Sequence, residues 1–122
     1  MPARDARATL PSTERIRRRA DFQQVYQHGV KIHGRYGTLF TLPNSLSVGR
    51  IGIAATRKLG GAVERNKAKR LIREVFRRNK LAPGFDVVVV PKRELLGASL
   101  TALEDDYRRN LARGLRRNPS RS

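Results

Sequence analysis

Between Arg65 and Lys80 the chain reads RNKAKRLIREVFRRNK, eight cations against the single acid Glu74. The apolar residues Ala68, Leu71, Ile72, Val75 and Phe76 recur at i, i+3, i+4, i+7 and i+8, the period of one helix face. At about 100° per residue, Asn66, Arg70, Arg73 and Arg77 project from the opposite side. Lys69 and Lys80 lie on one shoulder, Lys67 and Arg78 on the other. The segment is expected to be a helix with one packed and one cationic side. About seven net positive charges over about five turns repel one another unless an anion lies against them. A polyphosphate backbone supplies such an anion.

The whole chain points the same way. Its 122 residues suit one domain with a modest core, and 27 Lys and Arg against 10 Asp and Glu give a net charge of +17. That exceeds what solubility needs and predicts a polyanionic partner. No apolar stretch approaches a membrane span and no signal-peptide core is present, so a soluble, cytoplasmic protein without membrane contact is expected. The absence of Cys excludes disulfides and thiolate metal sites and fits a reducing interior.

Residues 1–14 (MPARDARATLPSTE) are polar, mixed in charge and aperiodic, and read as an N-terminal arm. From Arg15 the chain turns basic. Phe22, Val25 and Tyr26 then fall at helical spacing with Gly29 as a stop, predicting a short first helix. VKIH, TLFTL ended by Pro43-Asn44, and VGRIGIAAT read as three strands. Gly60-Gly61 precedes the charged helix and Pro83-Gly84 follows it. FDVVVVP is then so continuously apolar that it should lie centrally or be covered on both faces. Leu100, Leu103, Tyr107, Leu111 and Leu115 mark a last amphipathic helix before a basic tail, residues 116–122. The order helix, three strands, helix, strand, helix predicts an α+β domain over residues 15–115, a sheet packed on helices.

No catalytic constellation stands out, and neither a catalytic nor a metal-ligating residue is expected. His28 and His33 have no acid or Cys at ligand spacing. Glu104-Asp105-Asp106 fan in different directions from a helix beside Arg108 and Arg109, which favours ion pairing over acid–base work. Gly60-Gly61 matches neither the dinucleotide nor the triphosphate fingerprint. It reads as a tight turn, with the further option of presenting N–H groups to one phosphate of a polymer.

The stretch Arg57-Lys58-Leu59-Gly60-Gly61-Ala62-Val63-Glu64-Arg65-Asn66-Lys67-Ala68-Lys69-Arg70-Leu71-Ile72-Arg73-Glu74 resembles the signature of the bacterial ribonuclease P protein subunit. In that family a basic pair, a Gly-containing turn and Ala-Val lead into Arg-Asn-Arg, Lys-Arg and Arg-Glu. The resemblance extends to Ala20–Tyr26 and Asp86–Val90, and in all to about residues 15–115. Lys67 stands where arginine is usual, giving a point charge in place of a planar fork. Thr56-Arg57-Lys58 replaces a serine–lysine–lysine, and Pro91 replaces a small residue.

The resemblance implies the fold type of the second domain of ribosomal protein S5, with a left-handed crossover around the charged helix, an exception to a strong rule. It implies a protein cofactor of a ribonucleoprotein endonuclease that removes the 5′ leader from precursor tRNA. The catalytic RNA subunit performs the hydrolysis with Mg²⁺ held mainly by RNA, and no small-molecule substrate is involved. Arg57, Lys58, Arg65, Asn66, Lys67, Lys69, Arg70 and Arg73 would face the RNA subunit. Phe22, Tyr26 and Phe40 would hold the leader in a shallow cleft between the first helix and the sheet. On residue type alone ordinary core is the favoured reading of those aromatics. The alternative function is a small basic ribosomal or other structural RNA-binding protein, which would lack the ordered signature. A DNA-binding module would need a base-reading helix and usually a dimer seam, for which the second helix is too uniformly cationic.

Overall fold

The computed structural model describes residues 10–80 and 82–118. Its elements are α1 (Arg19–His28), β1 (Val30–His33), β2 (Gly37–Pro43), β3 (Arg50–Ile53), α2 (Ala62–Arg78), β4 (Phe85–Pro91) and α3 (Leu100–Arg117). The element order read from the sequence is therefore the observed one. The strands form a single sheet in the order β1-β2-β4-β3. β1 and β4 both pair antiparallel with β2, while β3 runs parallel to β4. A parallel neighbour cannot be reached by a tight turn, so the chain crosses over between β3 and β4, and α2 is that crossover.

The near-continuous apolar strand Phe85–Pro91 lies inside the sheet, as expected, with Val87 and Val88 fully buried. Alternation along the strands sends residues to two faces. On one, Leu39, Ile51, Val87 and Val89 meet Ala68, Ile72, Val75 and Phe76 of α2 and Leu103, Tyr107 and Leu111 of α3. Burying each such side chain contributes about 1.5–3 kcal/mol. On the other, Val88 meets Ile16 and Val25, with Phe22, Phe40 and Leu42 packed against them. This smaller layer lies under α1.

The helix ends are tied locally. Gly61 has no capping side chain, and Glu64 accepts its N–H at 3.0 Å instead. Ser99 caps α3 by accepting from the Ala102 N–H. Asn79, buried after the last turn of α2, donates to Val75 O and to Glu104 and accepts from Arg108, which joins α2 to α3. Gly60 lies at φ +143°, a conformation that a side chain would strain.

Packed structure begins ahead of the Arg15 boundary expected for the arm. Leu10 is only 3% exposed, Ser12–Glu14 forms a 3₁₀ turn, and Glu14 pairs with Lys80 at 2.7 Å. A lone leucine in a polar stretch gives no periodic signal, which is why this anchor was not visible. The rest of the arm, residues 1–9, lies outside the described residues. At the other end α3 continues through Arg117, and the Asn118 side chain donates to Thr41 O, so residues 116–118 belong to the helix and its cap. Residues 119–122 of the expected tail lie outside the described residues.

Candidate nucleic-acid interface

The free side of α2 carries the signature residues. Arg57 and Lys58 precede it on a 3₁₀ turn anchored by buried Leu59. Both are exposed, as are Asn66, Lys67 and Arg70, while Arg65, Lys69 and Arg73 are half-buried. Arg65 donates to Gly60 O at 3.1 Å, pinning its guanidinium beside the turn. The Gly60-Gly61 turn itself offers no phosphate cradle. Its two N–H groups are already used, Gly60 toward Arg57 O and Gly61 toward Glu64, which corrects that part of the sequence reading.

Most acids of the described residues are engaged away from this flank. Glu74 holds Arg77 and Arg78, and Glu104 holds Arg78 and Arg108. Glu14 holds Lys80, Asp21 and Asp86 hold Arg50, and Asp105 lies 4.0 Å from Arg108. Asp106 accepts from the Arg35 and Tyr36 N–H groups. The three-acid run is thus structural. The C-terminal half of the charged helix is neutralised by the fold, whereas Arg57, Lys58, Arg65, Lys67, Lys69, Arg70 and Arg73 have no ion pair among the described residues.

Lys69 and Arg73 turn toward β3 and line a recess of about 150 Å³ with Arg15, Arg17, Ile16, Phe22, Ile51 and Ile53. Burial lowers the Arg73 pKa below its ordinary value, and the nearby Arg15 charge lowers it further. Four cations and no acid line this recess, Arg15 among them donating to Leu10 O. Sequence reading had singled out Lys69 and Arg73 but not Arg15 or Arg17, because nothing local shows that the lead-in to α1 folds against α2.

The aromatic trio is brought together as expected. Phe22 and Tyr26 have ring centroids 6.4 Å apart, and Tyr26 meets Phe40 edge-on at 5.0 Å. The rings divide between packing and exposure. Phe22 and Phe40 rest on the layer under α1, while Tyr26 is 40% exposed. Partial burial raises the Tyr26 pKa and keeps its phenol neutral. Lys31 of β1 is paired in register with Phe40 and places its ammonium 5.6 Å from that ring. It was missed because only the strand pairing reveals it. Gly52 leaves the space that the Phe22 ring fills.

α1 is fixed over the sheet by charge as well as packing. Arg50 bonds Asp86 through two nitrogens at 2.8 and 2.6 Å and lies 3.6 Å from Asp21 of α1. The hydrogen bond to Asp86 raises the Arg50 pKa, so its guanidinium stays charged. Among the described residues no group of three or more His, Asp or Glu could hold a metal ion.

A sequence model of the Ribonuclease P family matches residues 10–114. The ribonuclease P protein component of Thermotoga maritima is 43% identical over 84 residues, 67% of this chain and 72% of that one. That of Syntrophus aciditrophicus is 43% identical over 86 residues, 69% of this chain and 72% of that one. The solved RNase P protein of Thermotoga maritima superposes with a TM-score of 0.74 at 35% identity, covering 82% of this chain and 96% of that one. The Staphylococcus aureus protein gives 0.72 at 32% identity, covering 81% and 93%. These matches decide against the ribosomal and DNA-binding alternatives. The chain belongs to the ribonuclease P protein family, the protein component that works with an RNA subunit in ribonuclease P.

Proposed function

We propose that this protein uses two surfaces: the free flank of α2 holds the catalytic RNA, and the face between α1 and the sheet holds the 5′ leader of precursor tRNA. The single observation that carries the reading is the set of seven signature cations without an ion pair beside a helix half that the fold does neutralise. A fold retaining charge only for solubility intersperses both signs. For the leader, a neutral phenol, two rings and Lys31 suit single-stranded RNA, where each stacked base contributes about 1–3 kcal/mol.

The contribution is electrostatic and positional. Screening repulsion between two RNAs lowers the salt and Mg²⁺ that assembly needs, and gripping the leader favours precursor over product. Mg²⁺ in this reading is held mainly by RNA. The working compartment is the cytoplasm; among the described residues no helix is long and apolar enough to cross a membrane.

Reconstitution with the catalytic RNA and a precursor tRNA at low Mg²⁺ tests this. The protein is expected to stimulate leader removal, and absence of stimulation sinks the reading. Arg65→Ala, Lys69→Ala and Arg70→Ala together should weaken RNA-subunit affinity and reduce its salt slope by about one unit per lost phosphate. Tyr26→Ala with Phe40→Ala should chiefly reduce discrimination between precursor and mature tRNA. Identical defects from both sets would rule out two surfaces.

A further inference from the structure

A second unpaired cationic strip lies at the far edge of the sheet. Past Asp106, α3 carries no further acid, only Arg108, Arg109, Arg113, Arg116 and Arg117. Arg108 is held by Glu104, Asn79 and Asp105. The other four fall within an arc of about 100° on the helix. Arg113 bonds only the neutral Asn110, and Arg109, Arg116 and Arg117 are exposed, with no ion pair among the described residues. The helix dipole favours cations in a last turn, but Arg109 lies two turns earlier.

The strip follows edge strand β1. Asp106 and Asn110 sit against the loop Gly34–Tyr36, Gly114 against Ile32 and Thr41, and Asn118 against Thr41, the partner of Val30. α3 therefore runs antiparallel along β1, with exposed Arg35 at one end, its guanidinium 5.2 Å from the Tyr36 ring. On the opposite face of the same strand, Lys31 covers Phe40. Cations thus continue from the aromatic rings around the sheet edge onto α3.

We infer that Arg109, Arg113, Arg116 and Arg117 form a track for the 5′-distal part of the leader, beyond the nucleotides stacked on Tyr26 and Phe40. This rests on the leader-binding reading above. The polarity follows from the placement of the two surfaces. Catalytic RNA on α2 puts the cleavage site at the Phe22 end of the rings, so nucleotides farther upstream emerge at the β1 end.

The test uses reconstituted holoenzyme and precursors with leaders graded from about 4 to about 16 nucleotides, the range that single-strand grooves cover. Wild-type affinity should rise with leader length. Replacing the four arginines with Gln should abolish that rise and leave short-leader and RNA-subunit affinity unchanged. The added salt slope of the long leader, about 0.7 per phosphate contact and so about 3 for four, should vanish with it. A length dependence equal to wild type, or a wild type with none, overturns the track. If Tyr26→Ala with Phe40→Ala leaves short-leader discrimination intact, the leader-binding reading itself has failed. Because the chain has no Cys, a hydroxyl-radical probe on Ala112→Cys gives an independent readout that keeps the four arginines. Cuts in the distal leader are expected. Cuts confined to the catalytic RNA, or none while a Val63→Cys probe cuts that RNA, overturn the assignment.

Discussion

Gly52→Ala is the sharpest probe of how the aromatic face is built. Gly52 lies on β3 opposite Val88, directly under α1. A Cβ placed there would be 2.8 Å from both Cε1 and Cζ of Phe22 and 3.1 Å from Ile16 Cβ. Ordinary contact requires the ring to withdraw by roughly half an ångström. It has little room, since Ile16, Val25 and Val88 fill the layer beneath it and Tyr26 stands 6.4 Å away. Overpacking of this kind costs about 1–3 kcal/mol, and at roughly 4 °C per kcal/mol for a chain of this length the melting midpoint should fall by about 4–12 °C. Displacing Phe22 also shifts Tyr26, so the reconstituted holoenzyme should lose part of its preference for precursor over mature tRNA. Its affinity for the RNA subunit should fall less, because Phe22 and Ile16 line only the recess beside Lys69 and Arg73 and the rest of the α2 flank is untouched. Adding Phe22→Leu removes the clashing ring edge, and the double variant should melt higher than additivity of the single losses predicts. Strict additivity, or a Gly52→Ala melt equal to wild type, would refute the close approach and the role given to it.

Asp86→Asn should cost about 1.5–3 kcal/mol, because it weakens two charge-assisted bonds to Arg50 at a nearly buried site, and should lower the urea midpoint without changing the slope. Tyr107 is buried with no protein partner for its hydroxyl among the described residues, so Tyr107→Phe should be neutral or stabilising by about 1 kcal/mol near pH 7 in thermal melts. Burial raises the folded Tyr107 pKa above the ordinary value, so its stabilising effect is intact below about pH 10 and is lost as pH climbs past it. Tyr107→Phe should accordingly flatten the alkaline fall in stability, and an unchanged profile would contradict the burial. A short RNA added at about 100 times its dissociation constant should stabilise the free protein by about 2.7 kcal/mol, less so as salt rises; a melt insensitive to RNA would contradict anion binding at the unpaired flank.

The element order and the central strand were legible because helix and strand periods are local. Ala68, Ile72, Val75 and Phe76 announce a buried stripe, and Val87 to Val90 can only be an inner strand. The sequence also carried the signature cations, since their order is unusual. What it could not carry is whatever depends on which strand pairs with which. Lys31 meets Phe40 only through the β1–β2 register, and Gly52 meets Phe22 only because β3 joins the sheet beyond β4. Arg15 and Arg17 join Lys69 and Arg73 only after the lead-in to α1 docks on β3, where Ile16 N–H bonds Ile51 O. Leu10 was read as part of a polar arm for the same reason: one apolar residue has no period.

The distribution of acids explains why the α2 flank is free. An acid is needed where cations meet packed structure, because an uncompensated charge there loses its water. Arg50, beneath α1, receives Asp86 and Asp21; at the α2–α3 junction it is the buried Glu104 that draws in exposed Arg78 and Arg108. Arg57, Lys58, Lys67 and Arg70 are exposed and remain hydrated, so folding does not require an acid beside them. Arg65, Lys69 and Arg73 are half-buried and still have none, and for Arg73 the lowered pKa registers that deficit. Such a deficit disfavours the free protein, and in the proposed function a phosphate of the catalytic RNA relieves it. The same argument separates the two halves of α3, where Glu104, Asp105 and Asp106 serve the packed end and the arginines that follow have no acid of their own. A chain whose cations served only to keep it in solution would have no reason to leave its half-buried ones unmatched.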